Sequence, residues 1–480
     1  MLVLTLLILG FLATRLINLS IFPIFADEAI YIRWAQLIWQ GKYFIPLSDG
    51  KTPLFMWLLS PILQIIKDPL IAGRLLSVFS GLATLIGIYF LTKKLFTKRI
   101  ALIASVLTVF NPFLLFYDRL SLTDSLLTAL IVWIVYFVLL LLEKPKIKTA
   151  FLLGLLFAAV LLTKPSAALY LACTPSLLFL YPSKKWLNKI KSVLFPSLLA
   201  SIIGFGIYSL QRFSNAFHLI NLRSQDYLRP LSEITSNWLE FFPDTLKVIL
   251  SWQINYLSWP AIALLLISSV LVLKTKLKKT YPLFILIIAP IIIQASIGKI
   301  IYPRYLLPTI PFILIILSFG LEKLKKPLSL LFLVLISFYW LKFDYLLLTN
   351  PQNTPLDFWE KNQYFYQWSS GYGLKEITQY LASIPQDQSV LVVTEGSFGT
   401  LPDGLQIYFN SSPNVRIQGI GFPENKINAS MEQSLLDNRQ VYLVFNQSRF
   451  GGSDQSRLEL INEYPRQNND KLLFFKVLPK

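Results

Sequence analysis

Two adjacent carboxylates, Asp27 and Glu28, stand in the stretch Ile24-Phe25-Ala26-Asp27-Glu28-Ala29-Ile30-Tyr31-Ile32-Arg33-Trp34. They follow an apolar segment, Leu2 to Leu19, long enough to cross a bilayer. An acidic pair just past a membrane exit is costly to bury and useful for chemistry at a lipid surface. Asp27 could remove a proton from a hydroxyl or hold a cation there. It could equally cap a helix beginning at Glu28, with both carboxylates solvated at the positive end of the helix dipole. A third carboxylate, Asp124, lies in Tyr117-Asp118-Arg119-Leu120-Ser121-Leu122-Thr123-Asp124-Ser125 and has the same two readings. In the capping version Asp118 pairs with Arg119.

Three cations share a local pattern. Lys51 (Asp49-Gly50-Lys51-Thr52-Pro53), Lys164 (Leu162-Thr163-Lys164-Pro165) and Arg304 (Tyr302-Pro303-Arg304-Tyr305) each have a proline nearby at a helix end. Proline stiffens such a turn and leaves carbonyls unpaired. One outcome is a cationic pocket for a lipid-linked phosphate, where charge-assisted bonds are strong. The other is snorkelling to lipid headgroups. The single histidine, His218, cannot form a histidine metal cluster and is expected to serve loop packing. The single cysteine, Cys173, allows no intrachain disulfide. A metal site would have to be built from carboxylates, which suit hard cations, so a divalent cation stays open as a cofactor.

The elements that must position these residues follow from composition. The chain of 480 residues is 54% hydrophobic and 15% charged, with mean hydropathy +0.57. Soluble domains carry roughly 25% charged residues, so the chain reads as a polytopic membrane protein. Its formal charge of +18 would suggest nucleic acid in a soluble protein. Here the excess collects in alternate loops, as cytoplasmic loops do, and no nucleic-acid partner is expected. The missing basic n-region marks Leu2 to Leu19 as a first span rather than a cleaved signal.

Further apolar segments run over 70–91, 100–117, 126–142, 149–163, 167–181, 193–210, 256–273, 281–297, 305–321 and 328–348, with a polar loop from Gln211 to about Pro243. Basic clusters recur at Lys93-Lys94 to Arg99, at Lys144, Lys146 and Lys148, and at Lys184-Lys185 to Lys191. Others lie at Lys274, Lys276, Lys278 and Lys279, and at Lys323, Lys325 and Lys326. The positive-inside rule then gives about eleven transmembrane helices, with the N-terminus cytoplasmic and the C-terminal tail outside. Asp27, Glu28, Lys51, Asp124, Lys164 and Arg304 all fall on the outer side. The region 27–67, rich in Trp and Tyr (Tyr31, Trp34, Trp39, Tyr43, Trp57), predicts an amphipathic layer at the membrane interface.

From Thr349 the composition turns soluble. Helices are expected over 373–384, 401–409, 431–436 and 458–464, and strands over 389–394, 415–420, 441–445 and 472–478. That alternation predicts an α/β domain, 349–480, with a mostly parallel sheet, beside a membrane domain, 1–348. Its glycines, among them Gly396, Gly399, Gly419 and Gly421, make no spaced nucleotide fingerprint.

Four stretches in this order and on one side resemble the GT-C glycosyltransferases that use polyprenyl-phosphate sugars. They are Phe25-Ala26-Asp27-Glu28-Ala29, Gly50-Lys51-Thr52-Pro53-Leu54-Phe55-Met56-Trp57, Arg119-Leu120-Ser121-Leu122-Thr123-Asp124 and Arg304-Tyr305-Leu306-Leu307-Pro308. Leu162-Thr163-Lys164-Pro165 is a weaker fifth. The protein O-mannosyltransferase-like and lipid A aminoarabinose transferase-like families are nearest, over roughly 1–348.

The resemblance implies a GT-C-like membrane domain that transfers a sugar, with inversion, from a polyprenyl-phosphate donor to a protein, lipid or glycan acceptor outside the cytoplasm. It implies Asp27 as catalytic base with Glu28 as its neighbour, and Asp124 as the second-loop aspartate. It further implies Lys51 and Arg304, joined by Lys164 and Tyr305, at the donor phosphate. A plasma-membrane location follows from the same likeness. There is one departure: aminoarabinose transferase-like members have Glu where this chain has Gly50, which weakens the transfer of a metal site and of that substrate. The alternative from another class is a flippase for a lipid-linked substrate. A flippase would place ionisable groups mid-membrane at a repeat interface.

Overall fold

The computed structural model describes residues 2–480 apart from 182–184, 275–279, 422–426, 452–454 and 467–469. Of the basic loop residues, Lys184, Lys276, Lys278 and Lys279 lie outside the described residues.

Helices α1 (Leu2–Leu16), α2 (Ala26–Trp39), α3 (Leu54–Ile62), α4 (Pro69–Leu95), α5 (Lys98–Phe110) and α6 (Pro112–Asp118) open the chain. They are followed by α7 (Thr123–Glu143), α8 (Ile147–Thr163), α9 (Ala167–Cys173), α10 (Trp186–Tyr208) and α11 (Leu219–Tyr227). Then come α12 (Leu231–Leu257), α13 (Trp259–Lys274), α14 (Tyr281–Ile297), α15 (Ile310–Lys323) and α16 (Lys326–Thr349). The chain divides into two compact units. One comprises 1–18, 43–55 and 74–355, and the other 19–42, 56–73 and 356–480.

The first unit makes this a multi-pass membrane protein. Among the described residues five helical stretches are long and apolar enough to span, and up to seven if each of two bent pairs counts as one. Four shorter apolar stretches, Leu2–Leu16, Ile147–Thr163, Ala167–Leu180 and Tyr281–Ile297, account for the other segments expected as spans. At 1.5 Å per residue such helices fall short of a hydrocarbon core of about 30 Å.

The bends have local causes. Asn111 accepts a hydrogen bond from the Leu114 backbone N–H and Pro112 follows it, so α6 restarts at 59° to α5. Ser258, at φ +78°, separates α12 from α13, which cross at 104°. The polar loop expected over 211–243 is largely helical, holding α11 and the first half of α12. Its polar residues argue against spanning, not against helix. Leu231, Ile234, Trp238 and Phe242 recur at helical spacing, and Trp238 stacks on Phe242 at 4.3 Å.

The second unit holds a five-stranded sheet in the order β2-β1-β3-β5-β4: β1 Val390–Thr394, β2 Val415–Gly419, β3 Gln440–Asn446, β4 Leu458–Pro465 and β5 Lys471–Val477. Helices α17 (Phe358–Lys361), α18 (Leu374–Ala382), α19 (Asp403–Phe409) and α20 (Ala429–Leu436) complete it. Leu391, Val393, Met431, Val441, Leu443, Phe445 and Val477 form a shared core.

Two expectations are corrected here. Residues 458–464 form strand β4, not a helix, and the sheet is mixed. Strand β1 pairs parallel with β2 and β3, whereas β3–β5 and β4–β5 are antiparallel. The few residues between β4 and β5 are too short for the crossover a parallel pair needs.

Helix α2 also belongs to this unit. Gln36 Nε2 donates to the Ile407 carbonyl at 2.8 Å, and Gly371 N–H to the Ile24 carbonyl at 2.7 Å. Phe25 lies 4.8 Å from the Tyr364 ring. Trp34, expected as an interface anchor, is buried, while Trp39 is exposed.

Candidate functional site: a cationic group and two acidic helix starts

In the first unit, four sequence-predicted residues come together although they are scattered over 180 positions of the chain. Lys164 ends α8, because Pro165 cannot continue it. Its Nζ donates to Asp124 Oδ1 at 2.7 Å, across from the first turn of α7. The same ammonium lies 4.3 Å from the centre of the Tyr305 ring, a cation–π contact. Arg304 follows in the 3₁₀ turn Pro303–Thr309, its guanidinium 5.2 Å from the Tyr302 ring and 6.0 Å from Tyr305.

Arg304 is 9% exposed, and the Lys164 side chain is 21% exposed over an Asp124 carboxylate that is 3% exposed. Asp124 is therefore not an N-cap. That position is Leu122, and the carboxylate is turned to a lysine 40 residues away. A lysine held by one carboxylate and an arginine beside the same tyrosine can hold a phosphate monoester or diester by charge-assisted bonds.

Two residues outside the sequence prediction fix this turn. Tyr170 Oη and Gln294 Nε2 both donate to the Tyr305 carbonyl, at 3.4 and 3.3 Å. Each lies on a different helix, and no local pattern links them to Arg304.

Lys51 pairs with its near neighbour Asp49 at 3.6 Å, and Arg223 of α11 reaches the other oxygen of Asp49 at 4.0 Å. Gly50 sits between them at φ +64°. A Cβ there would lie 2.5 Å from both the Cβ of Arg223 and the carbonyl oxygen of Leu219. The close approach of α11 thus leaves no room for a side chain at this position.

A second, closed group lies at the other end of the segment 118–124. Arg15 Nη2 meets Asp118 Oδ2 at 3.4 Å, and Ser125 Oγ donates to Asp118 Oδ1 at 2.9 Å. Arg15 also donates to the Val109 and Thr108 carbonyls. Arg119 does not pair with Asp118. It donates to the carbonyls of Thr14, Arg15, Ile17 and Asn18 at 2.7–3.1 Å, closing the C-terminal end of α1 with a positive charge.

The remaining two predicted residues lie in the second unit, at the start of α2. Phe25 is the N-cap, Asp27 stands in the first turn and is half-buried, and Glu28 is fully buried. Glu28 Oε2 accepts the Phe25 N–H at 3.1 Å, so the capping carboxylate is Glu28 rather than Asp27. Among the described residues no three His, Cys, Asp or Glu side chains gather as a metal-binding group.

Comparison with known proteins agrees with this picture. Residues 50–209 match a family model described as dolichyl-phosphate-mannose-protein mannosyltransferase. No curated protein matches the chain. Among solved structures, ArnT from Cupriavidus metallidurans in the apo state aligns with TM-score 0.64 at 11% identity, over 98% of this chain and 97% of that one. The same protein bound to undecaprenyl phosphate gives 0.63 at 12% identity, with the same coverage. The oligosaccharyltransferase AglB from Archaeoglobus fulgidus, in complex with an inhibitory peptide and a dolichol-phosphate, gives 0.53 at 13%, over 92% of this chain and 69% of that one. The chain is similar to the dolichyl-phosphate-mannose-protein mannosyltransferase family over 50–209, and across its length it has the fold of the GT-C glycosyltransferases.

Proposed function

We propose that this protein transfers a sugar from a polyprenyl-phosphate donor to a hydroxyl-bearing acceptor on the outer face of the plasma membrane, with inversion. The observation that carries the reading is the meeting of Lys164, Arg304, Tyr305 and Asp124 in the membrane unit. It is supported by a relative of the same fold that binds undecaprenyl phosphate.

The acceptor oxygen attacks the anomeric carbon, and its proton passes to Asp27. The bond from that carbon to the phosphate oxygen breaks, and polyprenyl phosphate leaves as an anion. Lys164 and Arg304, with Lys51, stabilise the charge that develops on the leaving oxygen; preorganised donors of this kind supply the largest share of many rate enhancements. Asp124 holds Lys164 in place and orients the acceptor side. Glu28 fixes the helical turn that presents Asp27.

In this reading the N-terminus is cytoplasmic. The portion 1–348 carries transfer, and 349–480 is an extracytoplasmic module that positions the acceptor. The test is Asp27→Asn, purified into liposomes and assayed for release of polyprenyl phosphate from a lipid-phosphate sugar. A fall in turnover of about 10²–10⁴ is expected for loss of a general base. Turnover like that of the wild type would remove Asp27 from the mechanism.

A further inference from the structure

The second unit contains a cleft of about 430 Å³ that none of the chemistry above uses. It opens at the amino ends of the parallel strands, beside the start of β1 and β2 and the residue before β3. Arg33, Arg416 and Arg439 line it, together with Gln406, Asn410 and Asn414.

The three arginines are not ordinary members of this domain's surface. Within 356–480 the other arginines are all paired: Arg449 with Glu395 at 3.3 Å, Arg457 with Glu432 at 2.6 Å and Arg466 with Asp470 at 3.4 Å. Arg416 and Arg439 alone make no side-chain hydrogen bond or ion pair with any described residue, and both face the cleft. The nearest carboxylate in sequence, Asp437, is turned away to accept from Gln433 Nε2 at 2.9 Å.

Arg33 approaches from α2. It is half-buried and donates to Asn410 Oδ1 and, at 3.3 Å, to Gln36 Oε1. Burial holds its guanidinium below its usual range, and Asp403 offsets this only in part. Asn410 Oδ1 also accepts from Gln40 Nε2 at 3.3 Å, which leaves the Asn410 amide nitrogen without an acceptor among the described residues.

We infer that this cleft is an oxyanion-binding site, taking a phosphomonoester or carboxylate group between the forks of Arg33, Arg416 and Arg439. Guanidinium forks match such groups bidentately. The group could belong to a soluble phosphorylated or acidic glycan or to an anionic lipid headgroup, and the chemistry of recognition is common to both. The site stands apart from glycosyl transfer, since binding alone reads it.

The experiment uses the full chain in phosphatidylcholine nanodiscs, titrated with inorganic phosphate and with glucose 1-phosphate by calorimetry. The wild type, Arg304→Ala and Arg416→Ala/Arg439→Ala are compared. Arg416 and Arg439 are exposed, so an unchanged melting transition will certify the fold of the double variant. At least tenfold weaker binding at one site is expected in the double variant, with that site retained in Arg304→Ala. Undiminished binding in the double variant overturns the inference and leaves the transfer mechanism untouched. Nanodiscs containing phosphatidylglycerol then separate the sources. A tenfold loss of phosphate binding to the wild type there, relative to phosphatidylcholine alone, identifies a lipid headgroup as the occupant. No loss identifies a soluble ligand.

Discussion

Two charged groups of the membrane unit lie at opposite ends of one short segment, 118–124, and they are built on different rules. At Asp118 the charges are sealed. Arg15 and Asp118 are 0% and 3% exposed and are held in direct contact, and Arg119 spends its donors on four backbone carbonyls. At Asp124 the group is partly open. Lys164 meets the carboxylate and the Tyr305 face, Arg304 lies beside Tyr302 and Tyr305, and the lysine remains partly exposed. A sealed group whose donors end on the protein's own backbone stabilises a fold. A lysine and an arginine that share one aromatic face, with an open side, suit an anionic ligand.

The comparison breaks most sharply at Asp118. Asp118→Ala leaves the buried Arg15 guanidinium without the carboxylate it contacts, and losing one partner of a buried pair costs about 3–5 kcal/mol. The expected result is a lowered unfolding midpoint in detergent. A midpoint equal to that of the wild type would mean that the sealed group is not structural. Arg304→Ala should do the reverse. Turnover falls by about 10²–10³, the effect of removing one preorganised donor to a developing charge, while the unfolding midpoint stays near that of the wild type. A fall in both, with rates restored on cooling, would place Arg304 among the structural charges.

The same contrast explains what could be read in the chain beforehand. Lys164, Arg304 and Asp124 were legible because each sits at a helix end beside a helix-breaking or capping signal. Tyr170, Gln294 and Arg223 were not, because their roles depend on helices that meet only after packing. The capping role read for Asp27 belongs to Glu28, since only the folded first turn shows which carboxylate reaches back to Phe25 N–H.

The packing of helix α2 could not be read locally, because its contacts are with residues 371 positions later. Strand β4 was misread as a helix because its pairing with β5 overrides a weak local pattern.

A third charge arrangement, in the second unit, sharpens the rule by loosening the contact. Asp403 is buried in α19, and its carboxylate accepts Gly399 N–H at 2.7 Å. Burial nonetheless pushes its pKa up to about 6, with the Gly399 bond and the charge of Arg33 pulling the other way. In the unfolded chain an aspartate titrates near ~3.9. Between those values the folded state keeps a proton that the unfolded state has lost. The stabilisation from protonated Asp403 is therefore complete below about pH 4 and is lost as pH rises through about 6.

Asp403→Asn keeps an oxygen for Gly399 and removes the titration. Its unfolding midpoint should vary less between pH 4.5 and 7.5 than that of the wild type. At the upper end it should be the more stable protein, by at most ~3 kcal/mol. If the two proteins keep parallel profiles, Asp403 does not titrate in this range, and the Gly399 bond and Arg33 hold its carboxylate ionised despite burial.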